Sequence, residues 1–309
     1  LAVFGPLRRL DLRRMVVAQF FSELGDGVVT IALPLYVYAR TGSALATALT
    51  FSAELLAGAV VGFVGGVLSD GFDRQRILLA SYVVRAALLV GAWAAGPLWL
   101  MLVCGVLARA AGQVDNPAFD SMIPDHAVPP DPATGAPGDL QQVLALRRLV
   151  QGVSLLVGPS VGAVAVEVVG PRASLLVPVV TFGLALVILG PTPGLDRGLA
   201  ERRRHHGDHT VASRLRSMRE GAAVLVHTPV LRRLVIYMTL STATVSVVLA
   251  GAVVWFEEGL DVSGSWYGLS MAVYGLGTTA GLAWAGSRTW RVGLPRVAAV
   301  MAPVYAASN

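Results

Sequence analysis

The sequence has no lysine, one cysteine and few charged residues. All 24 basic residues are arginine, and charged side chains make up only 14% of the 309 residues. The single Cys104 lies within an apolar run, which excludes an intrachain disulfide and a cysteine metal site. A hydrophobic content of 55% and a mean hydropathy of +0.66 exclude an ordinary soluble domain. The composition therefore predicts a protein that crosses a membrane several times.

Apolar stretches long enough to cross a bilayer recur along the chain. A spanning helix needs about 20 residues, and eight stretches are near or above that length, while a ninth starts near Leu294. The eight predicted spans are residues 14–38, 44–68, 76–96, 98–122, 149–169, 171–191, 229–256 and 264–287.

The arginines gather at alternate ends of these spans. Twenty of the 24 lie at the end that carries the N-terminus, against only Arg40 and Arg172 at the other end, while Arg85 and Arg109 lie inside spans. Because basic loops stay in the cytoplasm, we expect the N-terminus and the long central loop there. This placement also argues against a nucleic-acid surface, despite the net charge of +5.

Short matches recur at a fixed offset of 219 residues. Leu12-Arg13-Arg14 maps onto Leu231-Arg232-Arg233, and the pair Gly58 and Gly62 maps onto Gly277 and Gly281. A duplicated bundle predicts such matches, and chance recurrence of short apolar segments is the alternative. We expect a six-helix bundle over residues 1–191, a cytoplasmic linker over 192–228 and a partial second bundle over 229–309. The sequence is then either a fragment or the product of a truncated gene.

The linker contains a cluster of basic residues and histidines, Arg202-Arg203-Arg204-His205-His206-Gly207-Asp208-His209. A metal site is one interpretation. A solvated loop near anionic headgroups is favoured, because nothing holds these side chains in a coordination geometry. We expect no metal, no cofactor and no enzyme site, since the chain has no phosphate-binding glycine loop and no metal-ligand spacing.

Residues 66–78 form a charged connection between the second and third predicted spans. Its Gly66, Asp70, Asp73, Arg74 and Arg76 resemble the loop signature that joins the second and third helices in the major facilitator superfamily. Gly71 and Asp73 depart from the usual pattern, and the Asp-Gly-Phe-Asp-Arg run is similar to the exporter branch that includes enterobactin-exporter-type permeases.

The resemblance implies the all-α major facilitator fold. Two six-helix bundles are expected, with the second incomplete here, so that the chain has eight full spans and the start of a ninth. It also implies that Asp70 acts as a gate by capping a late helix of the other half, which would lie beyond Asn309. Arg74 and Arg76 are then the expected cytoplasmic latch.

Three further segments carry weaker resemblances to the same superfamily. Arg109-Ala110-Ala111-Gly112-Gln113 is similar to its fourth-helix arginine motif, and Gly158-Pro159-Ser160-Val161-Gly162 to its antiporter motif. Physically, Gly158 and Gly162 permit close helix contact and Pro159 bends the helix, so an ordinary packing face is the alternative. Residues 115–118 and 123–125 resemble the exporter branch and are interpreted as a helix end and gate region.

Charged side chains inside the spans are the candidate functional residues, because each costs roughly 2.5 to 3.5 kcal/mol to insert. They are Glu23, Asp26, Glu54, Arg85 and Arg109. Asp26 and Arg109 both lie about 18 Å along their helices from the membrane surface, near its midplane. We expect Asp26 to bind and release a proton, with Glu23 as the next candidate and Arg109 as charge partner or substrate contact. A static Asp26–Arg109 pair that only fixes packing is the alternative.

These features predict a monomeric, proton-coupled exporter of a small amphipathic molecule, such as a drug or siderophore. Its location is the bacterial cytoplasmic membrane, its energy source the proton gradient, and its partners the small-molecule substrate and the lipid bilayer, with no nucleic acid. An importer or uniporter of the same fold is one alternative, and a non-transporting membrane interaction protein is another.

Overall fold

The computed structural model describes residues 7–71, 73–128 and 139–190, together with separate positions between 227 and 277. For residues 63–71 it describes the backbone alone. The elements are α1 (Leu10–Thr41), α2 (Ala44–Gly71), α3 (Arg74–Ala94), α4 (Leu98–Ala111), a 3-10 turn (Gly112–Val114), α5 (Asp115–His126), α6 (Leu140–Ala173) and α7 (Leu176–Leu189).

The helices of this part of the chain are long and apolar enough for a membrane. Four segments have the length and hydropathy of a span, namely Leu10–Thr41, Arg74–Ala94, Leu98–His126 and Leu140–Ala173. Shorter apolar helices cover Leu45–Gly58 and Leu176–Leu189. Since α4, the 3-10 turn and α5 form one span, the seven helices match the first six predicted spans. The proposed domain boundaries fall on the linker, most of which lies outside the described residues.

Helix α6 begins at Leu140, before the predicted fifth span starts at residue 149, so the helix extends beyond its apolar stretch. The prediction treated Arg147 as the end of a span. In the structure only 4% of the Arg147 side chain is exposed, and its guanidinium lies 2.5 Å from Asp120. The charge is thus neutralised inside the bundle, and the helix continues past it.

The connection between α2 and α3 is shorter than the predicted charged turn. Helix α2 runs to Gly71 and α3 begins at Arg74. The Asp73 carboxylate accepts a hydrogen bond of 3.2 Å from the Arg76 backbone N–H. Asp73 therefore caps α3, which explains how an aspartate serves at a position where the superfamily signature has glycine.

Helix α1 is the central element of the bundle. It packs most extensively against α6 and α7, while α3 packs against α4 and α7, and α2 against α4. Its inward side chains, including Leu12, Met15, Val29 and Leu33, are at most 1% exposed. The core of the bundle therefore forms around α1.

Glycines bring α1 and α6 into backbone contact. A Cβ added to Gly27 would lie 2.7 Å from the Gly158 Cα, and one added to Gly158 would lie 2.9 Å from the Gly27 Cα. One turn further along, a Cβ on Gly162 would lie 3.0 Å from the Val28 Cα. The predicted small-residue face thus packs closely against α1. Its meaning as an antiporter motif stays a prediction.

The described positions of the second half contact this bundle at α6 and at a small buried cluster formed by α1 and α6. Residues 229–233 and 273–277 are helical, within the seventh and eighth predicted spans. A Cβ on Gly275 would lie 3.0 Å from the Leu156 Cα. Phe256 packs against the small buried cluster that includes Ala163. The start of the ninth span lies outside the described residues.

Replacing Gly158 with valine tests the α1–α6 contact. The added side chain would overlap the α1 backbone, so we expect Gly158→Val to lower the free energy of unfolding by about 1–3 kcal/mol. Thermal melting of the detergent-purified protein, followed by size-exclusion chromatography, measures this. Gly183→Val is the matched control, because nothing lies within 4 Å of a Cβ at Gly183. Equal melting temperatures of the two variants would contradict the contact.

Candidate functional site: a buried ion-pair network

The guanidinium of Arg85 on α3 is surrounded by polar partners in the centre of the bundle. Its Nη1 lies 2.7 Å from Asp115 Oδ2 and 3.1 Å from Ser22 Oγ, and its Nη2 is paired with Asp26 Oδ1. Only 1% of the side chain is exposed. Three helices, α1, α3 and α5, therefore meet at one buried positive charge.

Two neighbours fix the plane of this guanidinium. The Phe182 ring of α7 lies under it, with 3.9 Å from the Arg85 Cζ to the ring centroid, which is a cation–π contact. On another side, a Cβ at Gly112 would lie only 2.9 Å from Cζ, so the 3-10 turn leaves room because residue 112 is glycine. Packing as well as charge holds Arg85 in place.

Arg109 on α4 is the second cation of the site. Its Nη1 lies 3.0 Å from Asp26 Oδ1, and its Nε lies 3.3 Å from Glu54 Oε2 on α2. Asp26 and Arg109 therefore lie at the same depth, as expected from their positions along their helices. The structure brings the predicted pair together, and its role in transport stays a prediction.

One carboxylate oxygen joins the two cations. Because Asp26 Oδ1 pairs with both Arg85 and Arg109, five residues form a continuous chain of ion pairs in the order Asp115, Arg85, Asp26, Arg109 and Glu54. We call this chain the central network.

The central network is enclosed at both ends and more exposed in its middle. At one end the Glu54 side chain is 8% exposed. Asp115 and Arg85 have side-chain exposures of 5% and 1%, whereas those of Asp26 and Arg109 are 27% and 23%. A small molecule or a proton that enters the bundle would therefore meet Asp26 and Arg109 first.

Glu23 lies beside the central network, one turn before Asp26 on α1. Its carboxylate accepts a 2.8 Å hydrogen bond from Gln19 Nε2. It also interacts electrostatically with Asp26 and with Arg147 of α6. Of the five predicted intramembrane residues, the structure thus joins Asp26, Glu54, Arg85 and Arg109 directly and places Glu23 next to them.

The predicted gate motif divides into buried and exposed parts. The Arg74 side chain is 8% exposed, bonds the Ser121 carbonyl and lies 3.5 Å from Asp125 Oδ2, so it fastens α3 to α5. Arg76 is 86% exposed and pairs with Asp73 at 3.4 Å. Gly66 and Asp70 are described for their backbone alone, as part of α2.

Asp115 is the residue that sequence reasoning missed. Its segment was interpreted as a helix end and gate region from its resemblance to the exporter branch, yet its carboxylate is buried against Arg85 and Ser22. The available signal was an acidic residue within the fourth apolar stretch, which is expected to have a partner. The contributions of Ser22 and Phe182 have no comparable signal in the sequence.

Among the described residues, no group of three or more His, Cys, Asp or Glu side chains could hold a metal ion. The histidines of segment 202–209 lie outside them. Residues 158–162 read Gly-x-Ser-x-Gly, but they lie inside α6, and the Ser160 hydroxyl donates to the Leu156 carbonyl at 2.8 Å. This serine is therefore part of a helix and not a strand-to-helix nucleophile turn.

Replacing Arg85 tests whether the central network stabilises the bundle. Arg85→Gln leaves the buried Asp115 carboxylate without its cation and Asp26 with Arg109 alone, so we expect a loss of about 3–5 kcal/mol in the free energy of unfolding. Arg76→Gln is the matched control, and its exposed pair should contribute less than about 1 kcal/mol. Melting temperatures in detergent measure both, and an equal effect would contradict a structural role for Arg85.

Comparison with known proteins places this geometry in a family. The sequence model of the Major Facilitator Superfamily matches residues 15–308. Over 224 residues the chain is 26% identical to Macrolide efflux protein A of Streptococcus pyogenes, covering 70% of this chain and 51% of that protein. It is 25% identical over 179 residues to the uncharacterized MFS-type transporter YfiS of Bacillus subtilis (strain 168), covering 58% and 41%. The chain spans about half the length of these relatives.

Solved structures show the same fold. Crystal structures of the peptide transporter POT, one in complex with alafosfalin and one with sulfate, each align with a TM-score of 0.53. They are 18% and 17% identical to this chain and cover 79% of it and 49% of the transporter. The chain is an all-α integral membrane protein that belongs to the Major Facilitator Superfamily, a family of transporters and not of enzymes.

Proposed function

We propose that this chain provides the proton-coupling bundle of a secondary transporter that exports a small amphipathic molecule. The observation that carries the proposal is the position of Asp26, whose Oδ1 pairs with two arginines while 27% of its side chain stays exposed. A carboxylate inside the bundle that is partly exposed and held between two cations suits a residue that binds and releases a proton. A static packing pair would need neither the second arginine nor the exposure.

The proposed direction of transport and the proposed class of substrate are inferred from the similar proteins. Macrolide efflux protein A is named for the export of macrolides, and the chain resembles it over 224 residues. An amphipathic drug is therefore the substrate class that we propose, and a macrolide is the first probe to use. The peptide transporter structures support the fold alone.

The arginine distribution supports an orientation with the N-terminus in the cytoplasm of a bacterial cell. Arg9 and Arg74 lie where α1 and α3 begin, and Arg147 lies about two turns into α6. Arg40 and Arg172 lie at the opposite end of the bundle. Basic residues are retained on the cytoplasmic side during insertion. We accordingly place the C-terminus of α5 and the N-terminus of α6 in the cytoplasm.

Transport by the Asp26→Asn variant tests the proton-coupling role. The protein is reconstituted in liposomes, and uptake of a radiolabelled macrolide is driven by an imposed pH gradient. We expect Asp26→Asn to lose proton-driven transport by at least tenfold, because the amide cannot exchange a proton. Glu167→Gln, an exposed carboxyl on α6 away from the central network, should retain transport.

Three other outcomes would contradict the proposal. Full proton-driven transport by Asp26→Asn would show that Asp26 is not the coupling residue. Macrolide transport by the unmodified protein that does not respond to the gradient would favour a uniporter. A folded protein that moves no macrolide would favour a membrane interaction protein without transport activity.

Cysteine labelling tests the orientation. In a Cys104→Ser background, Thr41→Cys marks the end of α1 and Val128→Cys marks the segment after α5. A membrane-impermeant maleimide applied to intact cells should label Thr41→Cys and leave Val128→Cys unlabelled until the cells are opened. The reverse pattern would contradict a cytoplasmic N-terminus.

A further inference from the structure

We propose that Asp115 and Glu54 are positioning residues that keep Arg85 and Arg109 neutralised while Asp26 exchanges its proton. This inference rests on the proposed function of Asp26. It assigns proton exchange to Asp26, and it assigns the neutralisation of one arginine each to Asp115 and Glu54.

The first argument is the charge balance. The central network contains two guanidinium groups and three carboxyl groups. With all three carboxyls ionised its net charge is −1, and with one proton bound it is zero. A membrane interior disfavours net charge, so the neutral form with one proton is a stable state of the network.

The second argument is the connectivity, which leaves each arginine with a carboxylate of its own when Asp26 is neutral. Each arginine has one carboxylate to itself: Asp115 at 2.7 Å from Arg85, and Glu54 at 3.3 Å from Arg109. Asp26 is the carboxylate that both share. When Asp26 is neutral, two one-to-one pairs remain. A proton on Asp115 or on Glu54 would also leave two one-to-one pairs, so the choice among the three carboxyls depends on their accessibility.

The third argument is accessibility. The side chains of Asp115 and Glu54 are 5% and 8% exposed, against 27% for Asp26. Asp115 is also held by the Ser22 hydroxyl at 3.2 Å. Asp115 and Glu54, each of which pairs with a single arginine, are therefore enclosed. Asp26, which pairs with both arginines, is the carboxylate that protons can reach.

Other titratable groups face this site and stay the same in the variants below. Among the residues that the structure describes, and besides Glu54, Arg85, Arg109 and Asp115, they are Glu23 on α1, Tyr82 on α3 and Arg147 on α6. Helix α7 contains no titratable residue and contributes the Phe182 ring. A change in the proton affinity of Asp26 can thus be assigned to the residue that is replaced.

Replacement of Asp115 or Glu54 should change the proton affinity of Asp26. In Asp115→Asn the network has two cations and two carboxyls, so its neutral form has Asp26 ionised. Protonation of Asp26 would then leave the 1% exposed Arg85 without a carboxylate. We expect Asp26 to take up its proton at a pH at least one unit lower, which is a tenfold loss of proton affinity. Glu54→Gln should act in the same direction through Arg109.

The measurement uses a hydrophobic carbodiimide, dicyclohexylcarbodiimide, which reacts with protonated carboxyl groups. The protein in detergent is labelled across a range of pH, and the fraction of Asp26 modified is read by peptide mass spectrometry. The midpoint should fall by a unit or more in Asp115→Asn and in Glu54→Gln. It should return toward the original value in Asp115→Asn with Arg85→Gln, because the double variant restores an excess of one carboxyl.

Asp139→Asn is the matched control, since Asp139 pairs with Arg9 outside the central network, and its midpoint should not change. Unchanged midpoints in Asp115→Asn and Glu54→Gln, or no return in the double variant, would overturn this inference and leave the proton-coupling role of Asp26 intact. If Asp26 is not labelled at any pH in the unmodified protein, both proposals fail. Glu54→Gln keeps the test available if Asp115→Asn does not fold.

Discussion

The neutralisation of Arg85 is the constraint on which the centre of this bundle depends. A guanidinium that is 1% exposed must find its counter-charges within the protein, since the desolvation of an unpaired ion costs several kcal/mol. Asp26 of α1 and Asp115 of α5 supply them, and Phe182 of α7 covers the remaining face. Four helices are thereby held at fixed positions around one side chain.

This arrangement requires α1 to approach its neighbours closely on two sides. Ser22 and Asp26 are one turn apart and therefore share the face of α1 that contacts Arg85. Gly27 lies on the face that meets Gly158 of α6, where the two backbones touch. A larger residue at either glycine would push α1 away from α6. The backbone contact on one side of α1 is thus what sets the position of the charged residues on the other.

Sequence alone predicts much of this fold, because the signals are strong and local. Long apolar stretches identify the first six spans, and the small residues at 158 and 162 identify a close packing face. The sequence did not show how two charged residues are used, namely Arg147, which was placed at the end of a span, and Asp115, whose segment was interpreted as a helix end. Whether a charged residue ends a helix or is buried depends on a partner from another helix. Asp120 neutralises Arg147 and Arg85 neutralises Asp115, and neither pairing follows from local sequence.

The same limit applies to the candidate site. Equal depth along two helices predicts that Asp26 and Arg109 lie at one level, but depth does not give the direction in which a side chain points. The sequence therefore left open whether Arg109 pairs with Asp26 or contacts substrate. It also did not indicate that Arg85 pairs with the same oxygen of Asp26 as Arg109 does, since that depends on the orientation of α3 about its own axis.

The three aspartates of α5 explain how so polar a helix is held at the end of an apolar bundle. Asp115, Asp120 and Asp125 are spaced five residues apart, so successive side chains are rotated by about 140° around the helix. They pair with Arg85 of α3, Arg147 of α6 and Arg74 at the start of α3. Ion pairs on different sides hold α5 where apolar packing alone would not. A displacement of α5 relative to α3 would stretch the Asp115–Arg85 pair, which is also the pair that positions Asp26. The charge state of the central network and the position of α5 are therefore linked through one guanidinium.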